Sequence, residues 1–452
     1  MQWTVNNILE ICDGKLYSGD SSIKISGFSK DTRTINAGEI YIGIKGENFD
    51  GNSFYNEAFS SGAVACIIEK SYLINLGKTE KTIIIVDDSI LALKRLAIKR
   101  LEVVNPKVIA ITGSVGKTST KDMTLSIVSK KYKTLATKGN YNNHIGLPLT
   151  ILKLTDQEVI ILEMGMNNLG EIKYLSNIAK PDIAVITNIQ SVHIGNLNSI
   201  ENILKAKLEI ISGLKKDGTL IINGNDENLK SLNIPAINII KCGTKIGNYL
   251  AKNIKSNSFE VRIANKNYAF VNKVGTLGYL LNSLLAIAVG IKLEVPIKDI
   301  QEAMTNYELT SGRLEKIMTK KGAIIINDSY NASASSMINS IEYLLTQPGK
   351  RKIAVLGNMN ELGNDSKKLH SDVGKFISEY PVDFLITIGD NAQYISNQAK
   401  LGMIESNIKH FKTKEESKIF LKELIKPEDL IIVKSSNSNN FIEIVNYLKE
   451  AT

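Results

Sequence analysis

Short apolar runs recur along the chain, and each closes on a small or polar residue. In the first hundred or so positions they read EIYIGIKG, AVACIIE and TIIIVDD, the last two separated by a polar, lysine-containing connection. Runs of β-branched residues bounded in this way predict strands, and together they predict a small α/β unit over residues 1–105. From Pro106 to about Thr310 the rhythm changes, because KVIAITG, VIILEMG and DIAVITN each lead into a helical pattern. Strands that alternate with helices predict a parallel sheet, with functional groups at the C-terminal ends of its strands. From Ser311 the alternation restarts with AIIINDS, KIAVLGN, DFLITIG and DLIIVKS, which predicts a second doubly wound sheet. None of its turns matches GxGxxG, so a Rossmann-like fold is expected there without an implied dinucleotide. The expected fold is α/β in three domains, with boundaries at 1–105, 106–311 and 312–452.

Length and composition narrow the class. At 452 residues the chain can bury several cores. The longest apolar run, YLLNSLLAIAVGI from Tyr279, is too short for a membrane span and is interrupted by Asn282 and Ser283, so a buried helix is predicted. The first residues, MQWTVNNILEICDG, lack a basic segment followed by an apolar one, and no signal peptide is expected. Cys12, Cys66 and Cys242 are odd in number and far apart, outside any metal spacing, which suits a reducing, cytoplasmic setting without disulfides. The net charge of +9 comes from scattered lysines without interleaved aromatics. No nucleic-acid face is therefore expected, only solvated lysine with some attraction for anionic substrates.

The chemistry gathers at predicted strand ends. In VIAITGSVGKTSTKDM, four β-formers run into a glycine turn and then a helix. Backbone N–H groups at a helix start face an anion, Lys117 would add a mobile positive charge, and Thr118 a hydroxyl for Mg²⁺. The loop is contracted: only Ser114 and Val115 separate Gly113 from Gly116, where the general P-loop has about four residues. Downstream, TKGNYNNHIGLPLT sets Asn140, Asn142 and Asn143 among glycines, a composition that serves a ligand-facing loop or an ordinary turn. Glu163 closes the VIILE run and suits either a helix cap or a Mg²⁺ ligand. Asn188 ends DIAVITN, and His193 follows five residues later, where a lone histidine is as readily structural. Thr118, Glu163 and His193 fall at one predicted sheet edge, where a hard cation bridging phosphates wants oxygen ligands. Lys207, in ILKAKLEII, reads by itself as a surface lysine.

Taken together these segments resemble the Mur ligase family of peptidoglycan synthesis, and TGSVGKTST looks like that family's contracted ATP loop. FSKDTRTINAGEIYIGIKGENFDGNSF, LEMGMNNLGEI, PDIAVITNIQSVHIG, AKLEI, GRLE, NDSYNASASSM and VLGNMNELG extend the resemblance over nearly the whole chain. The GNMNELG loop is similar to the GDMxELG pattern of the members that add D-alanyl-D-alanine. The resemblance implies ATP-driven amide formation, with ATP and Mg²⁺ as cofactors and UDP-N-acetylmuramoyl-tripeptide and D-alanyl-D-alanine as substrates, in a monomer. It implies that Gly113, Ser114, Val115, Gly116, Lys117, Thr118 and Ser119 hold phosphate, that Asn282, Arg313 and Asp328 contact ATP, and that Thr118, Glu163 and His193 hold the metal. Lys207 matches a lysine that family members carbamylate. Ser29, Asp31, Thr32, Arg33, Asp50 and Gly51 match the UDP-substrate region. Asn142, Asn143, Tyr330, Asn331, Ser336 and Glu361 are the remaining substrate candidates.

The chain departs from the family's pattern in several places. An HN pair reads Gly278 and Tyr279, NANP reads NASA, GDM reads GNM, KGSR reads KSSN from Lys434 to Asn437, and His144 stands where an acid is common. Two further readings stay open. One is a folylpolyglutamate-synthase-like ligase using glutamate, against which the N-terminal SKDTR and ENFDGNSF elements speak. The other is a protein that binds UDP-precursors without catalysis.

Overall fold

The computed structural model describes residues 2–192 and 194–451. Besides a two-residue pairing of Trp3–Thr4 with Lys24–Ile25, three sheets carry the chain. The first has five strands in the order Lys15–Ser18, Thr82–Val86, Ala65–Glu69, Glu39–Ile42, Gly27–Ser29. Its first pair is antiparallel and the others parallel. Thr82–Val86 is buried along its whole length, as an apolar run with both faces covered should be.

The second sheet has nine strands, and its middle carries the three runs singled out by sequence: Ile183–Ile186, Lys107–Thr112 and Val159–Glu163 lie side by side and parallel. Register aligns Glu163 with Ile111, and Ile186 with Thr112, so three chain ends emerge in one line. The strand–helix alternation expected as far as Thr310 breaks down earlier. After Thr219–Asn223, four strands follow without an intervening helix: Asn238–Gly243, Tyr249–Lys252, Ser258–Ile263 and Lys266–Val271, the last three joined antiparallel. The physical reason is local. Ala264 and Asn265 both take positive φ (45° and 66°) between Ile263 and Lys266, which pair, and that two-residue turn closes a hairpin without the usual Asn-Gly signal.

The apolar run from Tyr279 forms the helix Leu277–Lys292, as expected, and packs against the helix Lys117–Val128 that follows the glycine loop. The two approach closely at Gly290, where a Cβ would lie 2.5 Å from Ile127 Cγ2. The third sheet has six strands in the order Glu315–Met318, Ile324–Asn327, Leu430–Lys434, Lys352–Gly357, Phe384–Ile388, Ile408–Phe411, all parallel except the first. Glu315–Met318 and Ile408–Phe411 are edge strands that the apolar pattern did not announce.

Apolar packing also joins the three parts. The helix Ser89–Val104 gives Leu93 and Leu96 to the N-terminal core and Ala97 to the central one. Leu149 and Leu152, from the central part, bury themselves in the N-terminal core. One large cluster runs from Ile109 and Leu284 across to Ala354 and Leu356. Among the described residues, no helix is long and apolar enough to cross a membrane.

Since Leu284 is fully buried where the helix Leu277–Lys292 faces this cluster, Leu284→Ala should cost about 2–5 kcal/mol. Urea unfolding followed by circular dichroism checks this; a midpoint equal to wild type would mean that the helix does not rest on that side chain.

Candidate active site

The contracted loop is tight because two glycines let neighbouring chains come in. Gly113 (φ 143°) passes Thr187 so closely that a Cβ would fall 2.0 Å from its Oγ1. Gly116 (φ 87°) does the same against Asn282, at 2.6 Å from Nδ2. The loop's first amides are spent on the adjacent strand end: Ser114 N donates to Asn188 O (3.0 Å) and Val115 N to Asn188 Oδ1 (2.9 Å). Thr187 Oγ1 and Asn188 Nδ2 both donate to Val115 O (2.6 and 2.8 Å). Two intervening residues suffice because this strand end replaces the missing part of the loop. The helix beginning at Lys117 keeps its outward-facing N–H groups for an anion. Lys117 Nζ curls back to Gly113 O (2.9 Å) and Ser114 O (3.1 Å), and shielding from water, together with the nearby Arg313 charge, lowers its pKa against the opposing pull of Glu163.

Thr118 and Glu163 meet as the sequence suggested. Thr118 Oγ1 donates to Glu163 Oε2 (2.8 Å), Asn142 Nδ2 donates to Oε1 (2.8 Å), and Thr137 Oγ1 accepts from Glu163 N (3.0 Å). Of the two readings of Glu163, the helix cap fails, because both carboxylate oxygens face side chains. A hydroxyl and a carboxylate make an oxygen-only donor pair that fits a hard cation held also by phosphate oxygens. Among the described residues, no three His, Cys, Asp or Glu side chains converge as a complete metal cage. His193, expected beside this pair, lies outside the described residues.

Arg313 reaches the pair from beyond the linker: Nη2 donates to Thr118 Oγ1 (2.9 Å), and the guanidinium lies 4.3 Å from the Tyr330 ring centre. Its Nε is buried without a hydrogen-bond partner among the described residues. Lys207 overturns its surface reading. It is 1% exposed on the helix Ile200–Leu208, and its Nζ has no hydrogen-bond partner among the described residues. Burial, and secondarily the Lys117 charge, hold its pKa well below the ordinary lysine value, although Glu171 and Glu163 pull the other way.

A cavity of about 1100 Å³ opens between the central and C-terminal sheets. Ser114 to Ser119, Asn142, Asn143, Glu163 and Asn282 line its central side; Arg313, Asp328, Tyr330, Asn331, Ser336 and Glu361 line the other. Several of these also have structural work. Asn143 Oδ1 accepts from Gly146 N (2.8 Å) where the helix Gly146–Leu152 starts. The Asp328 carboxylate is tied to Lys434 Nζ and Ser340 Oγ, each at 2.5 Å. The NASA departure leaves the local fold sound, because Ser333 caps the helix Ala334–Thr346 in a capping box with Ser336, and serine caps as well as asparagine. In KSSN, Lys434 keeps its ion pair, Ser435 Oγ donates to Asn358 O (3.2 Å), and Asn437 reaches the cavity. At the GNM departure, Asn358 Oδ1 accepts from Ala392 N (2.9 Å).

The N-terminal candidates stand apart from this cavity. Asp31 pairs with Arg33 (2.7 Å), which holds the carboxyl down to about 2, and Thr32 donates to Glu57 (2.6 Å). Ser29 Oγ accepts from Asp31 N (3.2 Å), Asp50 caps the turn Gly51–Phe54, and Gly51 packs its backbone on Ile44. Sequence reasoning passed over Gln190, whose N donates to Ser114 Oγ (2.9 Å) and whose Oε1 accepts from Ser335 Oγ (2.5 Å) across the cavity. Its place two residues after Asn188, at a strand end, was the available signal.

Residues 111–290 match the Mur ligase middle domain and residues 312–437 the Mur ligase, glutamate ligase domain. The chain is 36% identical to the UDP-N-acetylmuramoyl-tripeptide–D-alanyl-D-alanine ligase of Bacillus subtilis, over 99% of this chain and 98% of that protein. The fold superposes on crystal structures of MurF from Acinetobacter baumannii (TM-score 0.88, 28% identity, 99% of each chain) and of MurF ligase from Thermotoga maritima in complex with ADP. The latter gives a TM-score of 0.80 at 28% identity, over 94% of this chain and 97% of that one.

Lys207 yields a sign-specific test. With its folded pKa below the unfolded one, the unfolded chain holds a proton that the folded chain lacks between those two values, so stability rises with pH across that window. Below the window the full cost of the buried charge is present. Lys207→Met should therefore melt at or above the wild-type temperature at pH 7 in CO₂-depleted buffer, with the advantage shrinking toward pH 10. Thermal melts at the two pH values decide, and a lower melting temperature at pH 7 would contradict the buried-amine reading.

Proposed function

The chain belongs to the Mur ligase family, and on that footing we propose that it joins D-alanyl-D-alanine to a UDP-N-acetylmuramoyl-tripeptide at the expense of ATP, in the supply of peptidoglycan precursor. The observation that carries the reading is the cavity in which the contracted phosphate loop faces the Asn331–Ser336 and Glu361 wall. Full-length identity to a curated ligase of this activity supports it.

A carboxylate is a poor electrophile, and it repels the triphosphate. The terminal carboxylate of the tripeptide attacks the γ-phosphorus, ADP leaves, and the acyl phosphate formed is open to the free amine of D-alanyl-D-alanine. That amine attacks the acyl carbon, phosphate departs and the ammonium proton is lost. Lys117 and the N–H groups at the helix start would offset phosphate charge, and Arg313, bonded to Thr118, would meet charge building on the transferring group. Thr118 and Glu163 would hold Mg²⁺, which when bound neutralises charge between the phosphates. Asn282, beside Gly116, and Asp328 belong to the ATP side; Tyr330, Asn331, Ser336 and Glu361 to the dipeptide side. Lys207 fits the same reading, because a buried neutral amine can add CO₂ and release a proton, leaving an anionic carbamate near the metal donors where the uncharged amine stood.

Residues 1–105, with Ser29, Asp31, Thr32, Arg33, Asp50 and Gly51, are assigned to the UDP end, 106–311 to ATP and 312–452 to the amine. A monomer is part of this reading, and three buried free cysteines suit a cytoplasmic enzyme. Acyl phosphate and amine must approach within about 3–3.5 Å, so the two walls must come together and exclude water. Ser335–Gln190 and the meeting of Gly195 with Gly363 join them here.

ADP formation measured with UDP-muramoyl-tripeptides carrying lysine or diaminopimelate should require tripeptide, and amide product should require D-alanyl-D-alanine. Glutamate-dependent turnover would instead favour the folylpolyglutamate-type reaction. Lys117→Ala should lower kcat by ~100-fold or more with an unchanged melting temperature. Gly195→Val, whose Cβ would fall 2.9 Å from Gly363 N, should lower kcat while ATP binding by calorimetry persists; an equal loss of both would put the defect in the ATP site and not in the meeting of the walls.

A further inference from the structure

The linker between the central and C-terminal sheets carries Arg313, and it is anchored on both sides. On the central side Thr310 Oγ1 donates to Asp122 Oδ2 (2.5 Å), one turn beyond Thr118 on the helix that follows the phosphate loop. On the C-terminal side Ser311 Oγ (2.7 Å) and Gly312 N (3.1 Å) both donate to Glu315 Oε2, and Tyr330 N donates to Gly312 O (3.2 Å). Between the anchors Arg313 N closes a turn on Thr310 O (3.0 Å), which aims the side chain back at Thr118.

Asp122 is itself held in place. Its other oxygen pairs with Lys121 Nζ (2.5 Å), a lysine only 5% exposed, and Nζ also donates to Thr137 O (2.8 Å). Thr137 in turn accepts the Glu163 amide on its hydroxyl. Two polar routes thus leave the linker and converge on Glu163: Arg313 to Thr118 directly, and Thr310 through Asp122, its ion pair with Lys121, and Thr137. A buried ion pair is a poor source of net stability, but it does hold a carboxylate at one orientation. An exposed aspartate on that helix face could not fix Thr310 in this way.

We propose that Asp122 is a positioning residue for the phosphoryl-transfer step, holding Thr310 so that Arg313 stands over Thr118 and Glu163. The catalytic part rests on the ligase reading above; the tether itself does not. Asp122 touches no reacting group, and its effect passes through the linker. Misplacing a charged group by about 1 Å can cost ~100-fold in rate, which sets the size of the effect.

The test uses Thr310→Val, which removes only the hydroxyl, Thr310→Ser, which restores it, and Asp122→Asn, each in the full chain. Amide exchange across Tyr307 to Arg313 in ligand-free protein should quicken at least ~10-fold in Thr310→Val and Asp122→Asn, and return toward wild type in Thr310→Ser. For tripeptide-dependent ADP formation, kcat should fall ~10- to 100-fold in the first two with KM for D-alanyl-D-alanine nearly unchanged, and recover in Thr310→Ser. Combining Thr310→Val with Arg313→Ala should add little to the loss caused by Arg313→Ala alone. Unchanged exchange overturns the tether, whatever the reaction. Quickened exchange with wild-type kcat, or losses that multiply with Arg313→Ala, overturns the positioning role. Quickened exchange in a chain whose wild type forms no ADP with any tripeptide leaves the tether standing and removes the ligase reading instead.

Discussion

The hydrogen-bond chain from Glu163 through Thr118 to Arg313 ties together a strand end, a helix start and a second domain, and the site exists only while all three stay in place. Each member depends on a different layer of structure. Glu163 is set by parallel register with the strand Lys107–Thr112, Thr118 by the two-glycine turn that launches its helix, and Arg313 by a linker crossing from one sheet to the other. Losing the helix start would take the Thr118 hydroxyl from the buried Glu163 carboxylate and leave it the Asn142 amide, in a setting where unpaired charge is expensive.

Around that chain the protein gathers several shielded cations. Lys117, Lys121, Lys207 and Lys434 all lie within or beside the buried heart of the molecule, and they are treated differently. Lys121 and Lys434 have carboxylate partners in Asp122 and Asp328. Lys117 has only carbonyl oxygens, and Lys207 has no hydrogen-bond partner among the described residues. Paired lysines hold geometry. The two without a carboxylate partner are where a pKa is pushed down and where an incoming anion or a chemical change of the amine would be most strongly felt.

Departures from the family pattern fall into two physical kinds. Ser333 for asparagine preserves a cap, and Asn358 for aspartate still accepts a backbone N–H, so the loops they serve keep their shape. Tyr279 and Asn437 change what lines the cavity: an aromatic ring whose hydroxyl is buried without a partner among the described residues, and an amide in place of the guanidinium of the KGSR pattern. The first kind keeps the local framework, while the second alters the chemistry of the cavity lining.

By itself the sequence determined what depends on neighbours along the chain. The β-branched runs, the glycine turn before Lys117, the caps and the apolar helix from Tyr279 follow from local sterics and periodicity, and the helix start bearing Thr118 and the strand end bearing Glu163 were legible for that reason. Motif resemblance added Arg313 and Lys207, whose roles have no local signature. The antiparallel run from Tyr249 to Val271 was not legible, because its hairpin turn, Ala264–Asn265, carries no glycine. Only tertiary structure decided that Lys207 is buried, that Gln190 meets Ser335, and that Asp122 holds Thr310. Each of those is a contact between positions far apart in sequence, and burial or pairing at that range depends on which surfaces the sheets bring together.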